Sequence, residues 1–233
     1  MTDSGDPSQE QFSPSRHINA LIHLCFHQLS EDDRRRFTRQ FRILPQESDQ
    51  IMHTLRELVL GAYLASTGLD VRYHCLIAGR TPDWCILDEK GIPVTFVELT
   101  NFHIDETTEL DIEAQRRAKR IAVVWRDANK DNVTRLYHLV CRKAQECAAL
   151  AVSAGIPYAI ALFGDFRAAL DFADDVSPCL FDSDSGVFMK YPEVSGMLYF
   201  EEASGRYLFK YAASPFAARP LELKSGAFPI RAA

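Results

Sequence analysis

Apolar residues recur at helical spacing through the first third of the chain. Between residues 17 and 41 this spacing predicts one or two helices, with a break at residues 30–32. A longer helix is predicted from about 49 to 66, because Ser48 can cap its N-terminus and Gly68 can end it. Residues 1–16 are polar and are predicted to be a disordered tail in front of these helices.

Short apolar runs bounded by turn residues come next. Residues 71–77 predict a strand, and the runs WCIL and VTFVEL on either side of DEKGIP predict a hairpin. Residues 133–154 have the period of an amphipathic helix, and residues 158–163 form an apolar run typical of a buried strand. The stretch GMLYFEEASGRYLFKY predicts a second hairpin that turns at Ser204 and Gly205.

The segments between and after these elements are predicted to lack strands. Residues 105–120 are charged and favour a helix, residues 171–186 are rich in Asp and Ser and favour a loop, and the tail from Pro215 favours irregular structure. No repeat or break in composition divides the chain. We therefore expect residues 17–233 to form a single α/β domain with N-terminal helices and a C-terminal β-hairpin.

Composition places the chain among ordinary globular proteins. It has 233 residues, of which 47% are apolar and 25% charged, so it can bury a substantial core. No apolar run approaches the roughly 20 residues that cross a bilayer, so we expect no membrane association. The six cysteines show no CxxC spacing, which argues against a zinc site or a disulfide framework and indicates reduced thiols in a cytoplasmic protein.

The net charge of −6 hides a strongly basic stretch. Between Ala114 and Gln145 there are nine Lys or Arg and only two acidic residues. Such a cluster can form a phosphate-binding face, although a solvated helix surface is the commoner outcome. The residues predicted to bind nucleic acid are Arg116, Arg117, Lys119, Arg120, Arg135 and Arg142.

Two carboxylates occupy unusual places in the first predicted hairpin. Asp83 follows a proline at the start of one strand, and Glu98 lies within the other strand among valine and phenylalanine residues. A charge in such a setting carries a desolvation cost unless it has a partner. If the two strands pair, the carboxylates can converge, and a hard divalent cation such as Mg²⁺ would relieve their repulsion.

These residues and the order of the elements resemble the PD-(D/E)XK nuclease superfamily, which has the restriction-endonuclease-like fold. The resemblance runs from about residue 55 to residue 163. Pro82-Asp83 stands at the position of the family's PD, and Glu98-Leu99-Thr100 stands at the position of (D/E)-X-K. It implies a mixed β-sheet flanked by helices.

The resemblance also implies a role for each matching residue. Asp83 and Glu98 would bind Mg²⁺ or Mn²⁺, helped by the Leu99 backbone carbonyl, and Glu57 on the preceding helix would be a further ligand. Thr100 stands where the family has a catalytic lysine, and a threonine hydroxyl is too weak a base to replace it. Some members place this lysine elsewhere, and Lys143 on the later helix is the candidate here.

The resemblance implies a Mg²⁺-dependent endonuclease or phosphodiesterase, a hydrolase that acts on DNA. The missing lysine at position 100 and the net negative charge keep an alternative open. In that alternative the fold has lost its activity and serves as a nucleic-acid-binding or protein-binding module. DNA is the expected partner of an active enzyme, and the sequence leaves open whether the chain forms a homodimer.

Overall fold

The computed structural model describes residues 14–43, 48–104, 109–110, 114–115, 117–118, 129–168 and 170–229. They form an α/β fold with one mixed seven-stranded sheet and helices packed against it. The predicted 1–16 tail lies mostly outside the described residues, although the first helix already begins at Pro14. The helix predicted over 105–120 lies largely outside them as well.

Three helices precede the sheet, as the apolar spacing predicts. They are α1 (Pro14–Gln28), α2 (Glu31–Ile43) and α3 (Ser48–Ser66). The Ser30 hydroxyl accepts a hydrogen bond from the Asp33 backbone N–H, which caps the start of α2. The only other long helix in the described part of the chain is α4 (Asn129–Ala154). Two short helices, α5 (Ser177–Phe181) and α6 (Val187–Lys190), follow it.

The seven strands pair in the order in which they occur along the chain. They are β1 (Asp70–Tyr73), β2 (Trp84–Leu87), β3 (Pro93–Phe102), β4 (Tyr158–Gly164), β5 (Val194–Ala203), β6 (Arg206–Ala213) and β7 (Gly226–Pro229). Strands β3, β4 and β5 are parallel to one another, and all other pairs are antiparallel. Helix α4 supplies the crossover between β3 and β4, since parallel neighbours need a long connection.

Both faces of the sheet are covered, so the candidate site lies between two cores. Helix α4 packs on one face through Leu136, Val140 and Ala144. Helices α1 and α3 pack on the other face, where Trp84 is fully buried. Gly61 allows α3 to approach this tryptophan, because a Cβ at that position would lie 1.9 Å from the indole ring.

Both predicted hairpins are present. The turn between β5 and β6 has positive φ at Ser204 (51°) and Gly205 (75°), as the tight two-residue turn requires. Two other predictions are wrong. Residues 171–186 contain helical turns with buried Val176 and Leu180, and the tail after residue 215 adds β7 to the edge of the sheet.

In the described residues no helix has the length and apolar character needed to cross a bilayer.

Candidate metal centre

Asp83 directly precedes β2 and lies next to the end of β1. Its carboxylate accepts a hydrogen bond of 2.7 Å from the Leu99 backbone N–H of β3. Its backbone carbonyl accepts one of 3.2 Å from the His74 N–H. Strand β2 pairs with β3 only as far as Trp84, which lies opposite Val97. Leu99 therefore has no backbone partner in β2, and the Asp83 side chain accepts its N–H hydrogen bond instead. Asp83 is therefore held at the sheet edge by main-chain contacts.

Glu57 comes from α3 and is 7% exposed. One of its carboxylate oxygens accepts a hydrogen bond of 2.7 Å from the Tyr73 hydroxyl, and the other lies 3.1 Å from His53 Nε2. The Trp84 indole N–H donates to the Glu57 backbone carbonyl at 2.8 Å, which fixes this turn of α3 on β2. These contacts fix the orientation of the carboxylate.

Burial and the neighbouring carboxylates perturb the pKa of Asp83. Burial is the largest cause and, with the negative charges of Glu57 and Glu98, raises the pKa of Asp83 to about 7. The Lys143 charge and the Leu99 N–H act in the opposite direction without cancelling this. The carboxyl group of Asp83 therefore holds its proton to a higher pH than an exposed aspartate does.

Glu98 and Lys143 form an ion pair beside Asp83. Lys143 Nζ of α4 lies 2.7 Å from Glu98 Oε2, and the two side chains are 17% and 16% exposed. Burial lowers the pKa of Lys143, but the charges of Glu98 and Asp83 outweigh it, so the net pKa lies above the usual value. Lys143 is therefore a protonated ammonium group at neutral pH.

Thr100 lies two residues after Glu98 on β3, on the same face of the sheet, and is partly buried. Lys143 of α4 brings an ammonium group to Glu98 on this same face of the sheet. The sequence argument selected Lys143 for this place. The structure locates its side chain there, and its catalytic role stays a prediction.

Two histidines join the predicted residues at the site. One ligand atom each of Glu57, His74 and Asp83 lies within 4.8 Å of the other two. Burial lowers the pKa of His74, which favours the neutral imidazole. His53 Nδ1 lies 2.6 Å from Asn101 Nδ2, so His53 links β3 to Glu57.

Sequence reasoning missed both histidines, for different reasons. His53 stands four residues before Glu57 on a predicted helix, and that spacing places two side chains on one face. It was a usable signal. His74 follows a strand with no local pattern that marks it, and only the turn back towards Asp83 brings it to the site.

The predicted nucleic-acid-binding residues fall into two groups. Arg135 and Arg142 lie on α4 and line a cleft of about 500 Å³ together with His103 and His138. Arg135 donates hydrogen bonds to Asn132 and to the His103 carbonyl. Arg117 is exposed, and Arg116, Lys119 and Arg120 lie outside the described residues.

Comparisons with protein-family models, with curated proteins and with solved structures find no significant match to this chain. The assignment of a function therefore depends on the residues of the site.

Proposed function

We propose that the protein is a divalent-metal-dependent nuclease that hydrolyses DNA phosphodiester bonds. The observation that carries the proposal is the Lys143 ammonium group 2.7 Å from Glu98, next to the perturbed carboxyl of Asp83. This arrangement combines carboxylates for a metal with one fixed positive charge. Phosphodiester hydrolysis requires both, since negative charge develops on the phosphate oxygens.

The residues of the site fit a divalent cation. Glu57 and Asp83 each offer a ligand atom within 4.8 Å of the other, and Glu98 adds a third carboxylate, which is paired with Lys143. Burial, followed by the charges of Glu57 and Glu98, raises the pKa of Asp83, and a bound cation would favour its ionised form. The candidate ligands are the Asp83, Glu98 and Glu57 carboxylates and the Leu99 backbone carbonyl. The Leu99 N–H contacts Asp83, and the N–H and C=O groups of one strand residue point to the same side, so this carbonyl also points towards Asp83.

Each group would have a distinct task in the reaction. A bound Mg²⁺ or Mn²⁺ would polarise the phosphate and lower the pKa of a bound water. Lys143 keeps its proton, so it stabilises negative charge on the phosphate and does not act as a general base. The hydrogen bonds from Tyr73 to Glu57 and from Leu99 to Asp83 hold these carboxylates in place before substrate binds.

The order of elements supports the restriction-endonuclease-like fold. Helix α3 with Glu57 is followed by the antiparallel strands β1, β2 and β3, by helix α4, and by β4 parallel to β3. This is the succession that the resemblance implies, with Asp83 and Glu98 on neighbouring strands. The cleft with Arg135 and Arg142 lies along α4, the helix that also carries Lys143, and would supply positive charge for the DNA backbone.

A cleavage assay on plasmid and on single-stranded DNA tests the proposal. The wild-type chain, freed of metal with EDTA, is supplied with Mg²⁺ or Mn²⁺ and compared with Glu98→Gln and Lys143→Met. Both variants should lose cleavage by at least ~100-fold, the effect of removing a group that stabilises transition-state charge. Lys90→Met is the matched control, since this lysine is exposed at the tip of the β2–β3 hairpin.

The alternative function, a nuclease fold that binds DNA or protein without cleaving, rests on Thr100 in place of the family lysine. It predicts no metal-dependent cleavage of any DNA by the wild-type chain. Cleavage that survives both Glu98→Gln and Lys143→Met unchanged would point to a contaminating nuclease and would also contradict the proposal.

A further inference from the structure

His74 occupies an unusual position for a histidine. It follows the last residue of β1 in the left-handed region, with φ 50°. Its ring stacks on the Tyr73 ring at 3.9 Å between centroids, with 14° between the planes. Its backbone N–H donates to the Asp83 carbonyl, so the main chain of this turn is tied to the start of β2. The imidazole therefore has a defined orientation next to the carboxylates.

A ring nitrogen of His74 lies close enough to the Glu57 and Asp83 carboxylates to be a third metal ligand. One ligand atom each of Glu57, His74 and Asp83 lies within 4.8 Å of the other two. Two ligands bound to one ion at ~2.1 Å can be up to ~4.2 Å apart, so only small side-chain movements separate this arrangement from coordination. In the described part of the chain the His74 ring has its stacking contact with Tyr73 and no hydrogen bond, so both ring nitrogens are open to a ligand.

Other residues already orient the carboxylates of Glu57 and Asp83. The Tyr73 hydroxyl and His53 contact the two oxygens of Glu57, and the Leu99 N–H contacts one oxygen of Asp83. Such outer contacts orient ligands and are typical of metal sites. Each carboxylate oxygen keeps a lone pair beyond these contacts, and one oxygen of each carboxylate lies within 4.8 Å of a His74 ring nitrogen.

We infer that His74 is a nitrogen ligand of the metal held by Glu57 and Asp83, and that the site therefore selects Mn²⁺ over Mg²⁺. The inference rests on the proposed function and adds a ligand that the resemblance does not supply. Mg²⁺ favours a shell made of oxygen atoms, whereas imidazole suits first-row transition metals and Mn²⁺ accepts oxygen and nitrogen together. A nuclease with this ligand set depends on Mn²⁺ for its activity.

Metal binding is measured by calorimetry on the full chain after EDTA treatment, with MnCl₂ and MgCl₂ titrated separately. We expect the wild-type chain to bind Mn²⁺ at least ~10-fold more tightly than Mg²⁺. The informative variant is His74→Asn. Asparagine tolerates the left-handed backbone, and it replaces the imidazole nitrogen by an amide group whose oxygen can bind metal.

In His74→Asn the Mn²⁺ dissociation constant should rise at least ~10-fold, while that for Mg²⁺ changes less than ~3-fold. The nitrogen coupling in the pulsed electron paramagnetic resonance spectrum of bound Mn²⁺ should disappear at the same time. His27→Ala, which removes an exposed histidine of α1, is the matched control and should leave both constants unchanged. Thermal melting of each metal-free variant verifies that the fold is intact.

The results separate this inference from the proposed function. Equal binding of Mn²⁺ and Mg²⁺ that is unaffected by His74→Asn would overturn the role of His74 and leave the nuclease proposal standing. Selective Mn²⁺ binding that needs His74, without DNA cleavage, would support the ligand and overturn the nuclease. Failure to bind either ion would overturn both.

Discussion

The substitution Asp83→Asn should stabilise the metal-free protein at pH 8, although it removes a residue of the proposed site. The cause is the position of this carboxyl group, where burial and the charges of Glu57 and Glu98 raise the pKa of Asp83 to about 7. The native state therefore holds the proton more tightly than the unfolded chain does. Stability from this proton is fully present below the usual pKa of 3.8 and is lost as the pH rises through 7.

The magnitude follows from the two pKa values. The interval from 3.8 to about 7 corresponds to about 4 kcal/mol of lost folding free energy once Asp83 is fully ionised. Asparagine has nearly the same shape and can still accept the hydrogen bond from the Leu99 N–H, but it carries no charge. The variant should be more stable by up to about 4 kcal/mol at pH 8. For a chain of this length each kcal/mol raises Tm by roughly 2–4 °C.

The assay is thermal melting in EDTA from pH 4 to pH 8, with the difference between variant and wild type plotted against pH. That difference should be near zero at pH 4 and positive at pH 8. With Mn²⁺ at 100 times its Kd for the wild type, the difference at pH 8 should narrow by about 2.7 kcal/mol, because only the protein that binds the ion gains this stability. A variant that is less stable than wild type at every pH in EDTA would refute the reasoning and make Asp83 a structural carboxylate.

Three further predictions concern the helices around the site. Lys143→Met should reduce the DNA cleavage rate far more than the affinity for DNA, and adding Thr100→Lys should restore part of the rate; a double variant as slow as the single one would contradict this. Gly61→Ala should destabilise the fold by about 1–3 kcal/mol in urea unfolding, because the added methyl group collides with the buried indole of β2, and an unchanged midpoint would contradict the packing. Replacing Arg135 and Arg142 by alanine should reduce the slope of log affinity against log salt for duplex DNA by about 2 in fluorescence anisotropy, whereas an unchanged slope would remove both from the interface.

Local patterns were sufficient to predict the elements that carry the site. Helix α3 and the β2–β3 hairpin follow from apolar spacing, a cap and turn residues, all of which act within a few positions of one another. The edge strand β7 is different, because its four residues have no alternating pattern and are defined only by pairing with β6. The polar composition of residues 171–186 gave no indication of their helical turns, although Pro178 near the start of α5 is a typical helix signal.

The contacts within the site depend on residues that are distant in sequence. Lys143 and Glu98 are 45 positions apart, and Tyr73 reaches Glu57 across 16 positions. Sequence spacing within a strand or helix carries no information on such pairs, so only the resemblance suggested that Lys143 belongs near Glu98. His74 had neither a spacing nor a matching position in the resemblance. Its place at the site is a consequence of how β1 turns back towards β2.

Thr100 carries no charge, but Lys143 brings a positive charge to this site. Catalysis of phosphate transfer requires a cation at a point in space, and the sequence position that supplies it is immaterial. Glu98 and Thr100 lie on the face of the sheet that α4 covers, and α4 is anchored there by buried residues on both sides of Lys143, among them Val140 and Ala144. The ammonium group is therefore held by a packed helix and not by a mobile surface side chain. In the proposed nuclease, α4 would therefore supply the positive charge that the resemblance assigns to position 100.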